Sequence, residues 1–147
     1  MSSRAHVLEE LAGFPARLEA AAIPASHSPS PDDDEWSVSE IVRHLIAVES
    51  EVHQRRQADL ATLDDPHWTW TEPGVAPGYD DASIEELLAV FAAARARTLA
   101  TVNALDEAGW HRHGTHATYG VLDVEGLLRL AFDHDEEHLA SIRALGV

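Results

Sequence analysis

The spacing of apolar residues is the feature that most restricts the fold of this chain. In four segments, apolar side chains recur at every third or fourth position, which is the period of one face of an α-helix. No segment alternates apolar and polar residues in the way that a half-buried strand does. The sequence therefore predicts an all-α protein, a four-helix bundle. The four predicted helices cover residues 4–22, 37–60, 83–108 and 121–145.

Start signals and helix breakers set the ends of these segments. Ser37 is followed three residues later by Glu40, and Ser83 by Glu86; both pairs have the capping-box pattern of a helix N-terminus. Pro15 lies inside the first segment, where its missing N–H predicts a kink or a break. Proline and glycine mark the three connections, which are residues 23–35, 64–81 and 109–120.

Charge and length narrow the class of partner. The 147 residues include 26 acidic residues against 10 Lys+Arg, a net charge of −16. A surface this negative repels phosphate backbones and anionic lipids. No apolar run approaches the roughly 20 residues that span a bilayer, and the charged N-terminus is unlike a signal peptide. We expect a single domain over residues 1–147, located in the cytoplasm, that acts on a small molecule and binds neither nucleic acid nor membrane.

The chain has ten histidines and no cysteine. Thiolate ligands and a thiol nucleophile of the protein's own are therefore excluded. A tight transition-metal site would have to be built from imidazole and carboxylate groups.

The segment HDEEH, residues 134–138, is the most informative short pattern. His134 and His138 are four residues apart, so they lie one turn apart on the same helix face and can reach one ion. They continue the apolar stripe of Leu127 and Ala131, which predicts that both face the core. The three acids between them are expected to face solvent: Asp135, Glu136 and Glu137.

A third histidine borders the apolar stripe of the second helix. His44 lies three residues after Ile41 and four before Val48. Helices packed about 8–10 Å apart would bring its ring to the pair on the fourth helix. Three neutral imidazoles leave a divalent ion with an open position, as in catalytic sites. We predict one metal ion bound by His44, His134 and His138; the alternative is that they are hydrogen-bonded core residues.

The other histidines and the aromatic residues of the connections receive weaker assignments. Three histidines are expected in a loop near the mouth of the site: His111, His113 and His116. Four are expected at the surface: His6, His27, His53 and His67. Five aromatic residues either line an apolar pocket beside the metal or cap the ends of the bundle: Trp68, Trp70, Tyr79, Trp110 and Tyr119.

Three blocks of the chain resemble the DinB-like (DinB/YfiT) family of metal-dependent proteins. They are WSVSEIVRHL (36–45), SIEELL (83–88) and GVLDVEGLLRLAFDHDEEHLASI (120–142). The resemblance implies a four-helix bundle of up-down-down-up type with a three-histidine metal site. The family's ligand positions fall on His44, His134 and His138. It further implies zinc or nickel as the metal, and a homodimer, because dimers are common in the family.

The resemblance also bears on activity. Related proteins transfer low-molecular-weight thiols such as bacillithiol or mycothiol, or catalyse isomerisation that depends on such a thiol. It thus implies a metal-dependent S-transferase that uses a thiol cosubstrate and acts on a small electrophile. Two alternatives stay open: a hydrolase that uses metal-activated water, and a non-catalytic, stress-linked protein that binds metal or a ligand. No general base is identified, although Glu40, one turn before His44, is a candidate for orienting that ring.

Overall fold

The computed structural model describes residues 3–28 and 35–146. The predicted four-helix bundle is confirmed. The second helix of the bundle consists of three consecutive helical segments, which are α2, a π-helical segment and α3. The elements are α1 (Arg4–Ala25), α2 (Val38–Val48), the π segment (Glu49–Gln54), α3 (Arg55–Thr62), α4 (Ile84–Asn103), the short α5 (Glu107–Trp110) and α6 (Val124–Leu145). The first predicted connection, residues 23–35, lies partly outside the described residues.

Local sequence signals explain where the helices begin. At α2 the Ser37 side chain accepts a hydrogen bond from the Glu40 N–H, and the Glu40 carboxylate accepts one from the Ser37 N–H. Ser83 and Glu86 make the same reciprocal pair at α4. Both predicted capping boxes are confirmed, and each stabilises a helix end by satisfying two backbone donors.

The first helix differs from its prediction. It runs unbroken through Pro15 and ends at Ala25, so of the predicted kink or break, the break is wrong. Its buried face, which includes Phe14 and Leu18, packs against α4 and α6. This packing holds the helix together where its own hydrogen-bond ladder loses a donor.

The helices surround two apolar clusters. α1 packs against α4 and α6, and α2 packs against the same two helices, so α1 and α2 lie across a diagonal of the bundle. One cluster includes Phe14, Leu45 and Phe91. The other includes Leu11 and Leu127. The three histidines selected from the sequence come from α2 and α6, which are neighbours in this arrangement.

A small three-stranded sheet joins the connections, which the sequence did not predict. Its strands are β1 (His67–Trp68), β2 (His113–His116) and β3 (Gly120–Asp123). β1 pairs with β2 in parallel, and β2 pairs with β3 in antiparallel register. These strands are too short to show an alternating pattern. Because residues 120–123 belong to β3, α6 begins at Val124 rather than at residue 121, with Asp123 accepting the Gly126 N–H at 2.8 Å.

Within residues 3–28 and 35–146, no helix is both long enough and apolar enough to cross a bilayer.

Candidate metal centre

His44 is completely buried in α2, and its two ring nitrogens differ in environment. Nδ1 lies 3.0 Å from the carbonyl oxygen of Gly74. Because a carbonyl can only accept, Nδ1 carries the proton and the neutral ring presents a lone pair at Nε2. That Nε2 is buried and has no hydrogen-bond partner. A hydrogen-bonded Nδ1 with a free Nε2 is the usual state of a metal-ligating histidine.

His134 and His138 bring two further rings to the same point from α6. Their ring centroids are 4.4 Å apart. The ring centroid of His44 lies 5.5 Å from that of His134 and 4.8 Å from that of His138. The Nε2 atoms of the α6 pair are 3.1 Å apart. One ring nitrogen from each of the three residues lies within 4.8 Å of the other two. Around a tetrahedral ion with metal–nitrogen bonds of 2.0–2.1 Å, ligand nitrogens are roughly 3.4 Å apart.

The electrostatic state of the cluster suits a cation. Burial, and then the neighbouring His138, lower the pKa of His134 to about 3. Burial, and then His44, lower the pKa of His138. Both rings are therefore neutral near pH 7 and offer lone pairs. His134 Nδ1 is also buried without a partner. Neutral imidazoles, with His44 Nε2 buried and unpaired, fit a divalent ion well, since an unsatisfied polar group is otherwise costly.

A buried arginine beside this cluster ties all four helices together. Arg95, from α4, donates to both carboxylate oxygens of Glu49 at 3.0 Å and to both of Asp135 at 2.9 Å. It also donates to the Leu11 carbonyl of α1 at 3.0 Å. That carbonyl would pair with the N–H of residue 15 in a regular helix, and Pro15 has none. The proline thus leaves an acceptor free for the guanidinium.

The two carboxylates on this guanidinium differ in their titration. Burial raises the pKa of Asp135 to about 7, against the opposing pull of Arg95. Burial would also raise the pKa of Glu49, but the Arg95 charge outweighs it and the pKa is lowered. One cation therefore shares two buried acids, of which Asp135 is the more easily protonated.

The predicted solvent exposure of Asp135 is wrong, because only 1% of the residue is accessible. Leu128, Leu139 and Ile142 lie seven residues before it and four and seven after it, and all three are buried. This second stripe of α6 could have been found in the sequence at helical spacing. Of the two other acids, Glu136 is half-buried in an ion pair with Arg17 at 2.7 Å, and Glu137 is exposed.

The remaining histidines do not join the cluster, but three of them differ from their predictions. His113, expected in a loop, is the first residue of β2. His53, expected at the surface, lies with its ring centroid 6.0 Å from that of His134, and burial lowers its pKa to about 4. His116, expected in a loop, is buried in β2 and accepts the Thr118 N–H at 3.0 Å. Glu40 is engaged in the capping box, and the Gly74 carbonyl orients His44 instead. The other histidines are exposed: His6, His27, His67, His111 and His113.

A cleft of about 160 Å³ opens beside His134. Trp70 and Tyr119 form part of its wall and are largely exposed. Trp68 and Trp110 are instead buried in the core. Trp70 and Tyr119 therefore match the pocket interpretation, and Trp68 and Trp110 do not. The charged groups that line the cleft are Arg56, Glu72, Asp133 and Glu137.

Glu72 is the residue of this site that sequence reasoning missed. Its Oε1 lies 3.9 Å from His44 Nε2, and its Oε2 accepts a hydrogen bond from the Trp70 indole N–H at 3.0 Å. It belongs to the connection between α3 and α4, where no spacing rule relates a residue to a distant helix. Only the folded position of this connection reveals the contact.

Comparisons with known proteins agree with the fold. The model of the DinB superfamily matches residues 7–142. Among solved structures, YfiT from Bacillus subtilis, described as a probable metal-dependent hydrolase with an unusual four-helix bundle topology, matches with a TM-score of 0.73. The match covers 99% of this chain and 88% of that one at 22% sequence identity, which supports a common fold. None of the curated proteins compared with the chain matches it significantly.

Proposed function

Because the chain belongs to the DinB superfamily, we propose that it is a metal-dependent enzyme in which His44, His134 and His138 hold one divalent ion. The observation that carries this proposal is the approach of three ring nitrogens within 4.8 Å, one of them buried without a partner. Zinc and nickel are the expected ions, because imidazole suits both and the chain has no cysteine.

Residues around the three histidines hold their rings in the orientation that metal binding needs. A divalent ion bound here would lower the pKa of a water or thiol at its open position and so supply a nucleophile near neutral pH. Gly74 fixes the tautomer of His44. Arg95 holds Asp135, the neighbour of His134, and thereby fixes the rotation of α6 about its axis. These contacts place the ligands before an ion arrives, which favours binding.

The cleft beside His134 supports a small substrate with an apolar part. Its volume of about 160 Å³ is below the roughly 300–1,000 Å³ typical of drug-sized ligands. Val48, Val52 and Trp70 provide apolar wall. Three carboxylates line the cleft against one cation, Arg56: they belong to Glu72, Asp133 and Glu137. A small neutral or cationic electrophile suits this lining better than an anion does.

The reaction that we propose is transfer of a low-molecular-weight thiol to such an electrophile. The chain has no cysteine, so a thiol nucleophile would enter as a cosubstrate. Its sulfur would form a bond to the electrophilic carbon, the leaving group would depart with the bonding electrons, and the thiol proton would pass to solvent. The apolar wall formed by Trp70 and Tyr119 would hold the electrophile beside the metal ligands.

Hydrolysis is the second candidate, and a specific observation favours it. The Glu72 carboxylate faces His44 Nε2 at 3.9 Å and could accept a proton from water beside the metal ligands. The structurally similar YfiT is also described as a probable metal-dependent hydrolase.

Metal analysis of untagged protein tests the site. We expect about one zinc or nickel ion per wild-type chain and a large loss in His134→Ala and His138→Ala, since each variant removes one of three ligands. His67→Ala is the matched control, because that histidine is exposed and outside the cluster. Equal metal content in all four proteins would contradict the proposal.

Activity of the metal-loaded protein tests the reaction. We expect it to accelerate reaction of 1-chloro-2,4-dinitrobenzene with a low-molecular-weight thiol, and the metal-free protein and His138→Ala not to do so. Thiol-independent cleavage of 4-nitrophenyl acetate, lost in the same two controls, would favour hydrolysis instead. The absence of both reactions in the metal-loaded wild type would favour a binding protein without turnover.

A further inference from the structure

The connection between α3 and α4 is fastened to α2 next to a metal-ligand position. The Ala76 N–H donates to the Arg43 carbonyl at 3.1 Å. In return, the Arg43 guanidinium donates to the Ala76 carbonyl at 3.1 and 2.9 Å. Arg43 directly precedes His44, so this reciprocal contact fixes Ala76 beside that histidine. Ala76 ends residues 70–76, hereafter the clamp segment.

The clamp segment approaches both nitrogens of the His44 ring. Gly74 accepts from Nδ1 at 3.0 Å, and two residues earlier Glu72 Oε1 lies 3.9 Å from Nε2. Pro73, between them, restricts the backbone that links the two contacts. The Trp70 indole holds the other carboxylate oxygen at 3.0 Å. The Glu72 carboxylate therefore has one oxygen fixed and the other turned toward the lone pair of His44.

From this arrangement we propose that Glu72 is a fourth protein ligand of the ion held by His44, His134 and His138. The inference rests on the proposed function, because it requires that the three histidines bind a metal. The Oε1–Nε2 distance of 3.9 Å is within about 0.5 Å of the roughly 3.4 Å between ligand atoms of one ion.

Charge also favours this assignment. Three neutral imidazoles leave a divalent ion with its full double charge, and one carboxylate halves it. Glu72 is 59% exposed, so its side chain has room for a small movement toward the ion. Zinc sites can expand to five ligands, which leaves a position for a substrate or cosubstrate.

Zinc affinity measured by competition with a chromophoric chelator tests the proposal. We expect Glu72→Gln to weaken Zn²⁺ binding by about 10-fold or more, the range found when groups that support a metal site are removed. Glu137→Gln is the matched control, since Glu137 lines the same cleft, is exposed and directly precedes His138. It removes the same charge close to the ligands, and we expect a loss of less than about 3-fold.

Cobalt substitution provides a readout that does not depend on affinity. The visible absorption of bound Co²⁺ reports its ligands, so saturated Glu72→Gln should differ in spectrum from the wild type, and Glu137→Gln should match the wild type. Metal-free Glu72→Gln should unfold at the wild-type temperature, because the side chain is largely exposed.

The outcomes separate the two proposals. If Glu72→Gln binds Zn²⁺ as tightly as the wild type or loses no more than Glu137→Gln, or if its Co²⁺ spectrum is unchanged, Glu72 is not a ligand. In that case, loss of Zn²⁺ in His134→Ala would leave the three-histidine site standing. If the wild type binds no Zn²⁺, Co²⁺ or Ni²⁺, both proposals fail.

Discussion

Replacing Arg95 with methionine should destabilise the metal-free protein by about 3–5 kcal/mol. The guanidinium makes five hydrogen bonds, and all of its partners lie in the core: Glu49, Asp135 and the Leu11 carbonyl. Methionine fills much of the same volume but neutralises neither carboxylate. Removing one partner of a buried ion pair typically costs about this much, because the remaining charge is left without compensation.

The magnitude follows from the burial of the cluster. The side chains of Arg95, Glu49 and Asp135 are each at most 2% exposed, so water cannot replace the lost contacts. Total stability of a domain is typically about 5–15 kcal/mol, so the expected loss is a large fraction of it. For a chain of about this size, 1 kcal/mol corresponds to about 2–4 °C, and the melting temperature should fall by about 6–20 °C.

Urea unfolding at pH 7, followed by circular dichroism, measures this loss. The triple variant Glu49→Met/Arg95→Met/Asp135→Leu is the control, because an apolar replacement of a whole buried ionic cluster is often neutral or stabilising. We expect it to recover stability to within about 1 kcal/mol of the wild type. A loss below about 1 kcal/mol for Arg95→Met, or a triple variant as unstable as the single one, would refute this account of the cluster.

Two further predictions concern the scaffold and use the same unfolding assay. Gly114→Ala should destabilise the protein by about 1–3 kcal/mol, because the new Cβ would lie 2.5 Å from the Trp68 ring. Gly13→Ala should stabilise it by about 0.5–1 kcal/mol, because Gly13 has open space around it in α1. A change of the same sign in both variants would contradict the packing explanation. Ser37→Ala should cost about 1 kcal/mol by removing the cap shared with Glu40, and an unchanged midpoint would show that the capping box contributes nothing.

The local features of the fold could be predicted from the sequence. The two capping boxes, the helical segments and the inward placement of His44, His134 and His138 follow from spacing of three and four residues, because a helix turns through a fixed angle per residue. Prediction of buried side chains from residue spacing was wrong where a helix packs on more than one side. Asp135 lies on a second buried stripe of α6, among the core residues Leu128, Leu139 and Ile142, and its carboxylate pairs with Arg95.

Contacts between distant segments could not be predicted in this way. His53 lies near His134 through the packing of the second helix against α6, and the short strands pair residues from two separate connections. Glu72 reaches His44 across a loop whose course is set by Arg43 and Ala76. No periodic rule covers such connections, because turns and loops take their path from the surfaces on which they lie.

The sequence by itself determined that this chain forms helices, where α2 and α4 begin, and which histidines of α2 and α6 face inward, because those properties depend on neighbours within one or two turns. The tertiary structure decided which acids are buried, how one arginine joins four helices, and which carboxylate faces the histidine cluster. The physical reason is that burial and charge pairing depend on distances through space. Those distances exist only after the helices have packed and the connections have settled on them.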